Sequence, residues 1–197
     1  MEQTRPDVQA QRQEFEKWIK TVDPKRLVFL DESSANTRMA RSHAWVRRGE
    51  EFVEPRPMNW GKPLTMMGAI RLNGWITLGT LWGSAKRSCF RRWFITRLLP
   101  KLRRGDIVVL DNAAIHKCSL VIEAAARKGV TIKYLSPYSP DYNPIEPAWA
   151  LVKKQIKAAA PRDRASLHRV VHRARRWITA DHCKGWFQHC GYRGKVK

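Results

Sequence analysis

Acidic residues are scarce in this chain. Among its 197 residues, 17 Asp and Glu stand against 38 Lys and Arg, which gives a formal net charge of +21 at pH 7. A charge of this size creates a long-range field that attracts polyanions, and nucleic acid is the first candidate because each neutralised phosphate releases counterions. The charge balance therefore predicts nucleic-acid binding. A basic protein that binds another protein or the ribosome is the alternative.

Long apolar runs and closely spaced cysteines are also missing. No stretch approaches the about 20 apolar residues that a membrane helix needs. The N-terminal residues are polar and charged and lack the apolar core of a signal peptide. The four cysteines are scattered, which is not the pattern of a disulfide framework, so we expect reduced thiols. These absences predict a cytoplasmic protein without membrane contact.

The chain is long enough for one domain, and its apolar fraction of 43% can supply a core. Asn73-Gly74 lies between two strand-like runs, which is a strong hairpin signal. Strand–helix alternation follows this hairpin, so we predict an α/β protein with a mixed sheet flanked by helices. The predicted strands are Leu27–Leu30, His43–Arg47, Leu64–Leu72, Trp75–Leu81, Ile107–Leu110 and Val130–Leu135; the predicted helices cover 7–20, 86–100, 116–128, 144–159 and 164–178, followed by a short basic tail from Asp181.

Three acidic residues have positions that suggest a shared site. Asp31 and Asp111 each directly follow four apolar residues, so each should end a buried strand, at the sheet edge where α/β proteins bind ligands. Glu146 lies in the first turn of the helix that Pro144 opens, with 34 residues between it and Asp111. Taken singly, each acid has an ordinary alternative as a turn or capping residue or as a partner of the helix dipole.

Converging carboxylates require a cation, because they repel one another and would otherwise take up protons. Hard oxygen ligands suit Mg²⁺ or Mn²⁺. Two such ions, roughly 3.5–4 Å apart, can hold the attacking and leaving oxygens of a phosphoryl displacement. In a strongly basic chain, this pattern indicates metal-dependent chemistry on nucleic acid.

The segments around these acids resemble the insertion-sequence transposases of the mariner superfamily. The likeness runs from about Pro24 to Tyr192. The segments that carry it are Phe29-Leu30-Asp31-Glu32-Ser33, Leu110-Asp111-Asn112 with His116-Lys117, and Ser136-Pro137-Tyr138-Ser139-Pro140-Asp141-Tyr142-Asn143-Pro144-Ile145-Glu146-Pro147-Ala148-Trp149.

The resemblance implies a ribonuclease-H-like (retroviral integrase-like) fold. It also implies an Asp-Asp-Glu site in which Asp31, Asp111 and Glu146 are both catalytic residues and metal ligands, for two Mg²⁺ or Mn²⁺ ions. Asn112 and His116 match motif positions beside the second acid, and we expect a supporting role for them. On this basis residues 24–160 are the predicted catalytic domain. Residues 1–23 form a helical lead-in, and residues 161–197 form a basic helix and tail packed on the same domain.

The activity implied is DNA cleavage followed by strand transfer in a homodimer, at a TA target, by a nucleoid-associated protein of bacterial type. Full-length relatives also carry N-terminal helix-turn-helix domains that bind the transposon ends. We expect such a domain to come from a separate polypeptide or through frameshifting, or to be missing from a truncated copy. A ribonuclease-H-fold nuclease without strand transfer and an inactive DNA-binding remnant are the rival functions.

Two basic helix faces are candidate DNA-backbone contacts, with ordinary solvated faces as the alternative. Lys153 and Lys157 follow Glu146 at helical steps, and we place Trp149 on the same face. In the last helix, Arg169, Arg173 and Arg176 lie opposite the apolar stripe. His168 and His172 have zinc-ligand spacing there, but no Cys-x-x-Cys motif accompanies them, so we do not expect a zinc site.

Overall fold

The computed structural model describes residues 2–41, 43–55, 57–58 and 61–193. Five strands and six α-helices form the described part of the chain, and α2 continues through a π-helical turn and a 3₁₀ turn to Lys101. In chain order the elements are α1 (Pro6–Ile19), β1 (Leu27–Ala35), β2 (Leu64–Arg71), β3 (Gly74–Trp82), α2 (Arg87–Trp93), β4 (Ile107–Leu110), α3 (Ser119–Arg127), β5 (Thr131–Tyr134), α4 (Ile145–Ala159), α5 (Arg164–Arg173) and α6 (Ala180–His189).

The strands form one mixed sheet in the order β3-β2-β1-β4-β5. β1, β2 and β3 are antiparallel, which confirms the predicted hairpin at Asn73-Gly74. β4 pairs in parallel with β1 on one side and with β5 on the other. The carboxyl ends of β1 and β4 therefore point to the same sheet edge, as predicted.

The two faces of the sheet bury separate apolar clusters. Successive side chains of a strand point to opposite faces. Accordingly, Leu27 and Phe29 of β1 join a core with α1, α4, α5 and α6. Val28 and Leu30 join a second core with α2 and α3. The alternation continues into the residues that follow, which decides the face on which each polar group of the site lies.

Helix α4 packs on the first of these faces through the predicted apolar stripe. Ile145, Ala148, Val152 and Ile156 are all fully buried. α5 begins with a capping box between Asp163 and Ser166, which satisfies free backbone N–H groups of the first turn. Leu167, Val171 and Ala174 then bury its apolar side against the same core.

Several sequence-based boundaries were wrong. Residues 43–47 form no strand, and β1 extends past Asp31 to Ala35 because β2 continues to pair with it after β4 has ended. The predicted helix over 164–178 ends at Arg173, and the tail contains helix α6. The Thr179–His182 capping box that begins α6 is a local signal that the sequence carried.

None of the described helices is long and apolar enough to cross a membrane. The four cysteines are free thiols, and only Cys89 is partly exposed.

Candidate active site

Asp31, Asp111 and Glu146 line one pocket of about 400 Å³ beside the carboxyl end of β4 and the part of β1 that has passed beyond its pairing with β4. Asn112 lies beside Asp111 in the wall, and the loop from Leu135 to Asn143 closes the opposite side. Three separate elements thus bring the three predicted acids to one cavity. A pocket of this kind at the carboxyl edge of parallel strands is the usual ligand-binding position in such sheets.

The local structure explains the position of Asp31. The parallel pairing of β1 with β4 ends at Phe29 and Val109, so Asp31 has a strand neighbour only on the β2 side. Because Asp31 lies two residues after Phe29 in the strand, its side chain points to the same face of the sheet, the face that α4 covers. There the Trp149 indole Nε1 donates a hydrogen bond to Asp31 Oδ2 at 3.2 Å. The Glu32 backbone N–H donates to Oδ1 at 2.8 Å.

The electrostatics of Asp31 show that negative charge accumulates in this pocket. Burial raises the pKa of Asp31, and the charge of Glu146 raises it further; Glu32 and Asp111 add smaller contributions. The hydrogen bond from the Glu32 backbone opposes them, and the resulting pKa is about 7. A carboxyl group in this condition gains from a nearby cation.

Asp111 is held from the opposite face of the sheet by a buried histidine. His116 Nδ1 lies 2.6 Å from Asp111 Oδ1, and Nε2 lies 2.8 Å from Glu32 Oε2. Burial alone would lower the pKa of His116, but the hydrogen bonds and charges of the two carboxylates outweigh burial and raise it to about 10. The imidazolium therefore donates to both acids at neutral pH, and its hydrogen bond lowers the pKa of Asp111.

Asn112 joins the ends of two strands. Its Nδ2 donates to the Leu135 carbonyl at 2.7 Å, which ties the end of β4 to the residue after β5. The Ala113 backbone N–H donates to Asp111 Oδ1 at 2.9 Å. Both contacts fix the chain around Asp111, which is consistent with a supporting position for Asn112.

The donor set of the pocket fits a hard divalent cation. Its charged groups are three carboxylates on exposed or partly exposed residues, which is the ligand type that Mg²⁺ and Mn²⁺ prefer. Within the described ranges, no three His, Cys, Asp or Glu side chains approach closely enough to form a ready-made metal cluster. The carboxylates therefore line the cavity rather than meet at one point.

Trp149 and Glu32 contribute to the site in ways that sequence reasoning missed. We placed Trp149 on the lysine face of α4, and this was wrong: only 1% of the residue is exposed, and it bonds to Asp31. The sequence signal for the burial of Trp149 was that it directly follows Ala148, a residue of the apolar stripe of α4. Glu32 lies in the first motif, but only the fold reveals its contact with His116, which is 84 positions away in the chain.

The predicted DNA-contacting residues lie outside this pocket. Lys153 and Lys157 line a surface groove of about 480 Å³ together with Arg41, His43 and Lys154. Arg169, Arg173 and Arg176 are exposed on α5 and on the 3₁₀ turn after it.

The two histidines of α5 contact each other. The Nε2 atoms of His168 and His172 are 3.1 Å apart. In the described part of the chain, no third His, Cys, Asp or Glu side chain joins them as a metal ligand.

Comparison with known proteins identifies the family and the fold. The model of a family described as DDE superfamily endonuclease matches residues 26–168. The crystal structure of the catalytic domain of Mos1 mariner transposase matches with a TM-score of 0.54 at 16% identity, covering 95% of this chain and 94% of that one. This match confirms the ribonuclease-H-like fold that the sequence predicts. No curated protein matches the sequence.

Two longer Mos1 chains have the same fold over the region they share with this protein. In the Mos1 strand transfer complex the TM-score is 0.68 at 18% identity, over 96% of this chain and 61% of that chain. In the Mos1 mariner paired end complex with Mn it is 0.73 at 16% identity, over 94% and 60%. This chain therefore spans about three fifths of the length of those chains.

Proposed function

Since this chain belongs to the DDE superfamily of endonucleases, we propose that it is the catalytic domain of a DNA transposase that cleaves DNA and joins strands at a metal-dependent site. One observation carries the proposal: Asp31, Asp111 and Glu146, which lie far apart in the sequence, line the same pocket. Burial and the neighbouring charge of Glu146 raise the pKa of Asp31 to about 7, and a bound cation would relieve this unfavourable environment.

We propose Asp31, Asp111 and Glu146 as the ligands of two Mg²⁺ or Mn²⁺ ions. The three carboxylates would hold the ions at the pocket that they line together. When bound, two such ions activate a nucleophile and stabilise the charge on the attacking and leaving oxygens of a phosphodiester. The solved Mos1 paired end complexes with Mn and with Mg are consistent with this choice of ion.

The chain's own residues keep the acids in position. His116 holds Asp111 from the α2–α3 face, and Glu32 holds His116. Trp149 holds Asp31 from the α4 face. In this arrangement the side chains of Asp111 and Asp31 keep fixed orientations at the pocket that both residues line, so the ligands would need little rearrangement when an ion enters.

We propose DNA as the substrate, both as transposon ends and as target. The net charge of +21 supports this proposal. So do the half-buried Lys153 and the exposed basic residues Lys157, Arg169, Arg173 and Arg176, which would contact the backbone. By analogy with the Mos1 paired-end complex with the left transposon end, we propose that a homodimer acts on two ends. A helix-turn-helix segment, in the same or a separate polypeptide, would recognise those ends.

The first test is metal-dependent nicking of DNA by the wild type and by Asp111→Asn. The substitution keeps the shape and removes the charge of a ligand, and a loss of several kcal/mol of transition-state stabilisation predicts a rate more than about 100-fold lower. Asp181→Asn is the matched control, because that side chain is 90% exposed and lies outside the pocket. Equal nicking by the wild type and Asp111→Asn would refute the site.

A nuclease without strand transfer is the second candidate, because the family description speaks only of an endonuclease. Supplying a DNA end with a free 3′-hydroxyl and a target duplex distinguishes the two. Joined product supports the transposase, whereas nicking without joining supports the nuclease. A folded wild type that binds DNA but does neither would be an inactive remnant or would require a missing DNA-binding segment.

A further inference from the structure

Helix α1 contacts the wall of the active-site pocket, although it lies outside the family match over residues 26–168. We propose that α1 is a brace for the loop over residues 136–144, and that Arg12 is a positioning residue for the site. The inference rests on the proposed function only in its effect on activity, because the brace itself is a property of the fold. It concerns three side chains on one face of α1: Arg12, Phe15 and Glu16.

Arg12 binds the loop through both terminal nitrogens of its guanidinium group. Nη1 donates to Asp141 Oδ1 at 3.0 Å and Nη2 donates to Oδ2 at 2.7 Å, a bidentate pair. Nη1 also donates to Ser139 Oγ at 2.7 Å and lies 3.4 Å from the Tyr138 carbonyl oxygen. Charge-assisted bidentate bonds are stronger and more directional than neutral ones, and only arginine has the planar fork that makes them.

Phe15 and Glu16 add a second contact through Tyr142. The Tyr142 hydroxyl donates to the Glu16 carboxylate. The Tyr142 ring stacks on Phe15 with 5.6 Å between centroids, and the Arg12 guanidinium lies 4.6 Å from its centroid. Residues 12, 15 and 16 are neighbours on one helix face, since residues three and four apart lie above one another. The brace therefore combines polar contacts of Arg12 and Glu16 with an aromatic contact of Phe15.

The braced loop has a conformation that needs support. Tyr138 has a φ of 54°, a left-handed backbone conformation that is strained for a residue other than glycine. Ser139 Oγ, which accepts from Arg12, is also bonded to Ser136 Oγ at 2.7 Å and donates to the Pro137 carbonyl at 3.0 Å. Arg12 thus completes a network that spans the turn.

The loop leads directly into the helix that carries the third acid. Pro137, Tyr138 and Ser139 line the pocket together with Glu146. The Glu146 backbone N–H donates to the Asn143 carbonyl at 3.1 Å, so the end of the loop sets the first turn of α4. If α1 moves away, this wall of the pocket and the start of α4 lose their support.

The test compares Arg12→Ala with the wild type in two measurements. Without DNA, we expect faster amide hydrogen exchange in residues 136–144. In nicking, we expect about 10–100-fold lower activity or a correspondingly higher Mn²⁺ requirement, the usual cost of removing a positioning contact. Lys17→Ala is the matched control, because it removes the same charge from an exposed position of the same helix and should change neither measurement.

Asp141→Asn provides a second variant that leaves α1 unchanged. Its side chain is 48% exposed, so the protein should fold normally, while the bidentate pair is lost. A combined Arg12→Glu and Asp141→Arg exchange should reverse part of the increase in Mn²⁺ requirement that each single change causes. If the single changes acted only by disturbing the fold of α1, reversing the ion pair would not reverse the increase in Mn²⁺ requirement.

The outcomes separate the brace from the proposed function. Unchanged exchange in residues 136–144 in both Arg12→Ala and Asp141→Asn overturns the brace, whatever the activity. Faster exchange in both, with no nicking by the wild type, supports the brace and refutes the proposed function. Faster exchange with an unchanged Mn²⁺ requirement and unchanged nicking rate overturns the role of Arg12 in positioning the site.

Discussion

At the scale of single residues, the ionised form of the Asp31 carboxyl group is unfavourable in the folded protein. Asp31 is largely buried among like charges, and its pKa of about 7 lies well above the ordinary value of 3.8. Because the folded pKa is the higher one, the favourable contribution of this group is complete below about pH 3.8 and is lost as the pH rises through 7. Above about pH 7, metal-free protein therefore carries a negative charge on Asp31 that no cation neutralises.

We predict that Asp31→Asn raises the melting temperature of metal-free protein at pH 8 by about 2 °C or more, since the repulsion is removed. The gain should shrink towards pH 4, where the wild-type carboxyl is protonated. Mg²⁺ or Mn²⁺ should stabilise the wild type and leave the variant unchanged. Thermal unfolding with and without EDTA checks all three expectations. A lower melting temperature for the variant at pH 8 would show that repulsion is not the dominant effect.

Glu32 is a second single residue that affects the site, through its contact with His116. Glu32→Gln removes the charge that holds one side of the imidazolium, so the hold of His116 on Asp111 should weaken. We predict about 10–100-fold lower nicking activity, as for other partners of metal ligands. Glu123→Gln, on the exposed side of α3, is the control that should retain full activity. Wild-type activity in Glu32→Gln would mean that His116 orients Asp111 without help.

At the scale of elements, the approach of β2 to α4 decides where Trp149 lies. Gly68 pairs with Asp31 across the β1–β2 ladder. A Cβ on Gly68 would lie 2.5 Å from Trp75 Cζ3 and 2.7 Å from Trp149 Cη2, closer than atoms can pack. The absence of a side chain at this position lets the two indoles meet, at 5.3 Å between ring centroids, and keeps Trp149 Nε1 beside Asp31.

Gly68→Ala should therefore destabilise the protein by about 1–3 kcal/mol, the usual cost of overpacking a core. It should also lower nicking activity, because the added methyl group would displace Trp149 from Asp31. Gly185→Ala is the control on α6, where an added Cβ meets nothing within 4 Å. Alanine is favoured over glycine inside helices by about 1 kcal/mol, so this variant should be slightly more stable. Chemical denaturation measures both, and equal stabilities would contradict the packing argument.

At the scale of the whole molecule, positive and negative charges lie in different places. The excess of Lys and Arg is spread over the exterior, while the acids of the pocket lie at the carboxyl edge of the sheet. A positive exterior would hold the DNA backbone, and a negative pocket would draw in divalent cations. The groove that contains Lys153 and Lys157 runs along α4, the same helix that carries Glu146 in its first turn.

Replacing Lys153 and Lys157 with Gln should weaken DNA binding and reduce its dependence on salt. Each lost phosphate contact lowers the slope of log affinity against log salt by about 0.9, so two contacts predict a change of about 1.8. Lys17→Gln with Lys20→Gln, which removes two exposed charges at the C-terminal end of α1 and just after it, is the control with the same change in net charge. Equal slopes for the two double variants would show that α4 makes no specific backbone contact.

The sequence by itself determined the parts of this protein that local patterns encode. Apolar runs fixed β1, β4 and the hairpin, Pro144 and the apolar stripe fixed α4, and the motifs around Asp31, Asp111 and Glu146 indicated the family. Boundaries were wrong where local signals were weak, as in the tail that forms α6. They were also wrong where strand pairing extended an element, as in β1 beyond Asp31.

Only the tertiary structure decided which side chains hold the site together. The contacts of Glu32 with His116, Asp31 with Trp149 and Arg12 with Asp141 join residues 84, 118 and 129 positions apart. Periodicity tells which face of an element a residue lies on, but not which element covers that face. That choice depends on the order and direction of the strands in the sheet, which long-range packing of the whole chain determines.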